Sequence, residues 1–266
     1  MWLKKYLTVF KLSWENVLHY RLDFLMGRVR NIILLLTLYF LWTTIFKRPN
    51  ELFGFTRSQI ITYVLVGNFF YSLIFAHSDN DIADAIASGR LSSFLVRPIN
   101  YLLYWFVRRL ASRLMFFLMT ILETGVFILL VKPDLQFPTQ PQFVFFSIVS
   151  LVLAVLLFTF LDFTSGILSF WMVWAYGPRF ALRMLMDFTS GRMFPLNVLP
   201  QTVFTILNTL PFSFLIFFPL NLFQGRLGSS EIINGFIMQI VWVVLSFLLM
   251  KLLWQRGLRR YEAVGG

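Results

Sequence analysis

Long uncharged runs alternate with short charged ones along this chain, and the runs have the length of helices that cross a lipid bilayer. Asn31 to Phe46 is uncharged for 16 residues, Ser58 to Ser78 for 21 and Ile232 to Met250 for 19. Leu114 to Val131 carries one charge, Glu123, and from Leu135 to Pro178 the only charge is Asp162. Met193 to Gly225 is uncharged over 33 residues but holds Pro195, Pro200, Pro211 and Pro219. Proline removes a helix hydrogen bond and kinks the chain, so one crossing followed by a re-entrant pair of short helices is expected there. The pattern predicts six spans at about 30–47, 58–77, 110–131, 143–174, 178–198 and 231–252, with the re-entrant element at 200–223. Ahead of them, residues 1–28 place Trp2, Tyr6, Phe10 and Trp14 at helical spacing with Lys4, Lys5 and Lys11 elsewhere, which reads as an amphipathic helix in the interface.

Charge gives this pattern a direction. Of 23 Lys and Arg residues, 18 lie in Met1 to Arg30, His77 to Arg113, Ala175 to Arg192 and from Lys251 onward, and 5 lie between these stretches. Cytoplasmic loops retain Lys and Arg, so the rich stretches are predicted inside, with both termini cytoplasmic in a multi-pass cell-membrane protein. The parity of this order makes Leu135 to Pro178 one crossing rather than two. Glu123 is then expected near mid-membrane and Asp162 at the inner boundary, as candidates for a translocation path. Asp187 is expected to pair with Arg183 one turn earlier.

Composition agrees with an all-α integral membrane protein forming a single domain: 58% hydrophobic, 13% charged, mean hydropathy +0.75. The net charge of +11 flanks apolar spans and can meet anionic lipid headgroups, and it forms no continuous face for tracking nucleic acid. The absence of cysteine excludes disulfides and thiolate chemistry. Charges scattered through Met1 to Arg30 leave no apolar core for a cleavable signal. His19 and His77 match no metal-binding pattern, and the phosphate-cradling GxxxxGK[ST] is absent, so no catalytic, cofactor or metal site is expected.

Between the second and third spans, Ser78 is a predicted N-cap for a short polar helix that carries Asp79, Asp81 and Asp84 and ends at Gly89. Ile82, Ile86 and Leu91 give it an apolar side. An acidic run at a membrane surface also suits a magnesium-dependent lipid-headgroup transferase. Those enzymes need glycine after the second aspartate, and Ala85 follows Asp84.

The six spans, the amphipathic helix, the cytoplasmic helix and the proline-broken element together resemble the permease subunit of a type-2 ATP-binding-cassette exporter. The stretch from Ala87 to Tyr101 is similar to the SGxLxxxLxRPxN signature of the branch related to daunorubicin-type and viologen-type export permeases. The tail from Trp254 to Gly266 is similar to that branch's WxxGLRRYESAGG ending, with Ala263 and Val264 departing from it. The resemblance implies a separate ATPase subunit that carries ATP and Mg, and a second permease, identical or paralogous. It implies that the acidic helix is a coupling helix seated in the ATPase, with Ile82 and Ile86 as apolar contacts and Asp79, Asp81, Asp84 and Arg90 as polar ones. It also places the fifth crossing before the first proline pair, while Arg183, Asp187 and Arg192 in that crossing leave a crossing at Val198 to Phe223 open. Cargo could be a lipophilic cation meeting Glu123, a lipid or a glycan-lipid.

Overall fold

The computed structural model describes residues 2–19, 21–47, 51–75, 81–172 and 175–261. Helix α1 (Trp2–His19) is followed by α2 (Arg21–Ile45), then a two-strand hairpin, β1 (Glu51–Leu52) and β2 (Phe55–Thr56), and α3 (Arg57–Ile74). Two short helices, α4 (Asp81–Ala87) and α5 (Leu91–Leu95), lead into α6 (Tyr101–Val131) and α7 (Pro141–Ile167). After a 3₁₀ turn at Leu168–Phe170 come α8 (Tyr176–Thr189), a second 3₁₀ turn at Leu196–Val198, α9 (Gln201–Thr209), α10 (Phe217–Phe223) and α11 (Ser229–Arg260). Among the described residues, four helices are long and apolar enough to cross a membrane: Phe24–Ile45, Tyr101–Val131, Pro141–Phe170 and Ser229–Arg260.

Local chemistry sets the helix ends. Thr56 and Gln59 form a capping box that starts α3. The Asn100 side chain accepts from the Leu103 amide at 3.0 Å and opens α6, which stops at Lys132 in a left-handed conformation before Pro133. Pro141 occupies the first turn of α7, where its missing N–H costs nothing. Gly228 N–H bonds the Glu231 carboxylate at 2.8 Å at the head of α11.

Contacts between helices give their relative directions. Phe24 meets Phe116, Arg28 meets Thr120 and Asn31 meets Glu123, so α2 and α6 run parallel. Phe146 meets Phe236, Ser150 meets Gln239 and Phe160 meets Phe247, so α7 and α11 also run parallel. Arg109 meets Asp162 and Arg113 meets Thr159, so α6 and α7 are antiparallel. One large core of Leu, Ile and Phe joins α2, α3, α7 and α10. A second, smaller core gathers α4, the start of α6 and the ends of α7 and α11.

The helices depart from the predicted bounds where charges find partners. The predicted interfacial helix 1–28 is split: α1 ends at His19, and α2 begins at Arg21 and carries Arg28 and Arg30 into the apolar run. The third helix starts at Tyr101 rather than near 110, with Arg108, Arg109 and Arg113 inside it. The predicted 143–174 span ends as α-helix at Ile167. The predicted 178–198 span is an α-helix only to Thr189, about 21 Å at 1.5 Å per residue, and continues as turns. The 51–56 hairpin joins the segments predicted as the first two spans.

The proline-rich segment begins and ends at that hairpin. Asn197 donates to the Phe53 carbonyl at 3.2 Å, Gln224 to the Gln59 carbonyl at 2.7 Å and Arg226 to the Gly54 carbonyl at 2.9 Å. Between these anchors the chain reaches toward the middle of α11, where Trp242 donates to the Thr209 carbonyl and Gln239 to the Phe214 carbonyl. Gly191, with φ of +85°, lies 2.8 Å by its would-be Cβ from Phe217 Cβ, so a side chain there is excluded twice over.

Candidate functional site

Three helices, α2, α3 and α8, surround a cavity of about 270 Å³ beside the middle of α6 and the C-terminal end of α7. Among the described residues its wall holds five arginines, Arg28, Arg30, Arg179, Arg183 and Arg192, and one carboxylate, Asp162. Each buried arginine is held by groups that other helices supply. Arg28 Nη1 donates to Thr120 Oγ1 at 3.0 Å and to the Phe116 carbonyl at 3.2 Å, and its guanidinium lies 4.4 Å from the Phe116 ring centroid. Arg183 donates to the Phe75 carbonyl at 2.6 Å. Arg192 lies 3.0 Å from the Tyr71 ring centroid, a cation–π contact.

Asp162 sits at the centre of the charged seam. It is buried, takes a short ion pair from Arg109, and lies 4.0 Å from Arg179 Nη2. Arg113, also buried, donates to Thr159 one turn before it. An isolated buried carboxylate would be costly, and so would these guanidinium groups; together they offset each other. Asp162, expected at the inner boundary as a candidate for the translocation path, lines the cavity wall.

Glu123 does not line the cavity. Its Oε2 accepts from Asn31 Nδ2 at 3.1 Å and lies 3.6 Å from Arg28 Nη1, and both partners do line the cavity. The carboxylate expected to meet a cationic substrate is therefore already engaged by a cation of this chain. Asp187 pairs with Arg192 at 3.5 Å rather than with Arg183, because the turn after α8 folds Arg192 back.

One turn beyond Asp162, α4 packs on α7 through Gly166, whose would-be Cβ is 3.3 Å from Ile82 Cβ. Ile82 is 0% exposed and Ile86 6%, both within the smaller core with Leu91, Trp105 and Ile167. Expected as apolar contacts for the ATPase, both side chains fasten α4 to its own chain here. The outward face consists of Asp84, Ala87, Ser88 and Arg90, whose Nε donates to Ser88 Oγ at 2.9 Å. Beyond it Leu95 and Val96 are exposed, Val96 at 84%. Ser78 and Asp79 lie outside the described residues, as does the side chain of Asp81.

The two sequence signatures meet at this end. The Tyr261 hydroxyl donates to the Gly89 carbonyl at 2.8 Å and accepts from the Ser92 amide at 3.2 Å. Trp254 stacks on Tyr101 with centroids 5.2 Å apart, and Gly257 leaves room for the Phe170 ring. Residues 262–266 of the tail lie outside the described residues. The arginine cluster is what the sequence did not disclose: counted along the chain, its members read only as inward-retained charge.

A family model described as ABC-2 family transporter protein matches residues 32–265. No curated protein and no solved structure matches the chain.

Proposed function

The chain belongs to the ABC-2 transporter family, and from that premise we propose that it is the membrane-spanning subunit of an ATP-driven exporter. ATP and Mg would sit on separate ATPase subunits, and a second permease, identical or paralogous, would complete the path. Both termini and α4 would face the cytoplasm.

Helix directions support six crossings. Since α2 and α6 run parallel, the chain must return between them, and α3 is the segment available. Since α7 and α11 run parallel, it must return again, and α8 with its following turn travels from Asp162 to the 51–56 hairpin. The segment from Val198 to Phe223 has both ends at that hairpin, which favours a re-entrant element there over the alternative fifth crossing. Broken backbone at membrane depth is tolerated when protein covers it, and α10 is buried almost throughout.

One observation carries the coupling role: α4 rests on α7 at Gly166, one turn from Asp162. A push on the outward face of α4 reaches the helix that holds the charged seam without an intervening loop. Closure of two ATPases would rock α7 against α6 and α8 and switch the path between inward- and outward-facing states. Asp84, Ala87 and Arg90 are the contacts this reading assigns to the ATPase.

The test is affinity purification of the tagged chain from its native membrane. A Walker-type ATPase should co-purify, and the double variant Asp84→Lys with Ala87→Glu should lose it while membrane yield stays unchanged. Retention of the ATPase by that variant removes α4 from the contact, and absence of any ATPase with the unaltered chain removes the exporter reading.

A further inference from the structure

We propose that a second cavity, walled by α5, α6, α7 and α11, holds one phospholipid of the bilayer, with an acyl chain along its aromatic wall and the phosphate at Lys251. Its volume is about 580 Å³, and its described lining shares no residue with the arginine-lined cavity. The orientation in the exporter reading makes the cytoplasmic leaflet the source of the lipid, whereas binding itself does not depend on that reading.

The two ends of this cavity differ in chemistry. Phe106 of α6, Phe160 of α7 and Phe247 of α11 wall the deep end, and Asn100, Lys251 and Gln255 stand toward the end where α6 starts and α11 stops. The aromatic wall is held by its own contacts: Phe160 lies 5.3 Å from Phe247, and Trp254 stacks on Tyr101. Lys251 and Gln255 are exposed, and their side chains make no hydrogen bond or ion pair among the described residues. The volume falls within the range of roughly 300–1,000 Å³ usual for ligand pockets. An apolar chamber with uncommitted donors at one end has the polarity of an amphiphile, and a phosphate diester accepts from an ammonium and an amide together.

Length picks the occupant. From Phe247 to Leu258 the cavity follows α11 for about 16 Å at 1.5 Å per residue, which is about half of a hydrocarbon layer about 30 Å thick. The acyl chain of one leaflet has that reach. A helix from a second copy would run on past Phe247 toward the far side of the membrane, where this cavity has no lining among the described residues. Seated here, the lipid bridges the start of α6 and the end of α11, the same two ends that Tyr101 and Trp254 join.

The purified full-length chain in mixed micelles is given phosphatidylglycerol with a diazirine on one acyl chain, irradiated, digested and mapped by mass spectrometry. Peptides covering 101–106 and 247–258 should carry several-fold more label than the lipid-exposed stretch 121–131. Unlabelled phosphatidylglycerol should compete about tenfold better than diacylglycerol with the same chains, the gain from one charge-assisted hydrogen bond. Leu103→Trp fills the cavity and should cut the labelling several-fold at an unchanged melting temperature. Lys251→Gln, at an exposed position, should keep the labelling and erase the preference for phosphate, whereas Lys132→Gln at the far end of α6 should change neither. Label spread evenly over the lipid-exposed faces, or a phosphate preference that survives Lys251→Gln, overturns the proposal. So does labelling that appears only after truncation at Tyr261, which gives the cavity to the chain's own tail. A disulfide between copies at Leu103→Cys in this cysteine-free chain overturns it too, giving the cavity to a second permease. None of these readouts involves an ATPase, so their failure and the failure of the exporter reading show as different results.

Discussion

Helix α7 makes two seams, and they are built from opposite chemistry. Against α6 and α8 it presents Asp162 and Thr159 to Arg109, Arg179 and Arg113. Against α11 it presents rings and one amide knot, in which Ser150 Oγ donates to Gln239 Oε1 and Gln239 Nε2 returns to the Ser150 carbonyl, both at 2.9 Å. The apolar seam has a single good packing and no charge to redistribute. The charged seam joins Asp162 to guanidinium groups from two helices, Arg109 of α6 and Arg179 of α8, so its partners can exchange at nearly constant charge. A protein that must hold one pair of helices while moving another has reason to place its ions on the moving side.

Asp162→Asn should have the largest effect, because it removes the buried carboxylate that Arg109 and Arg179 share. Breaking a buried pair on one side costs about 3–5 kcal/mol, so the thermal midpoint in detergent should collapse together with yield. Should it melt like the unaltered chain, the seam is solvated and the contrast fails. Gly257→Ala comes next, on the apolar seam: a Cβ there would lie 2.1 Å from Phe170 Cδ2, and overpacking costs about 1–3 kcal/mol. Its loss should appear as a lowered melting midpoint that a paired Phe170→Leu restores.

Gln239→Leu removes the amide knot and leaves the Ser150 and Phe214 carbonyls to find other donors. Hydrogen bonds between membrane helices average about 0.6 kcal/mol and reach about 1.7, so a modest drop in midpoint is expected. A loss equal to that of Asp162→Asn would put the two seams on the same footing. Glu123→Gln should be smallest, about 1 kcal/mol or less, since the amide still accepts from Asn31 and Arg28 keeps Thr120 and the Phe116 carbonyl.

Much of the architecture was legible because apolar length is a strong signal. Ser229–Arg260 and Pro141–Ile167 follow from runs with one charge or none, and the prolines at 195, 200, 211 and 219 announced two short helices. Helix α8 was harder, since Arg179, Arg183 and Asp187 read as surface charge until the positions of Asp162, Phe75 and Arg192 are known. Spans that are apolar all round have no weak face, so nothing along α2 showed that Arg28 turns toward α6. The apolar side of α4 was visible, but periodicity is silent on whether such a side meets a partner or the chain's own core. Gly166 decides that, and it lies about eighty positions downstream.

The bond between Arg28 and the Thr120 hydroxyl joins residues 92 positions apart, and this constrains biogenesis. When α2 leaves the ribosome, Arg28 lacks Thr120 and Glu123, because the helix bearing them has not been synthesised. The first span must therefore wait at the edge of the insertion machinery, or ride high toward the headgroups, until α6 arrives. A nascent chain arrested ahead of Tyr101 should slip back out of the bilayer more readily than one arrested after Val131.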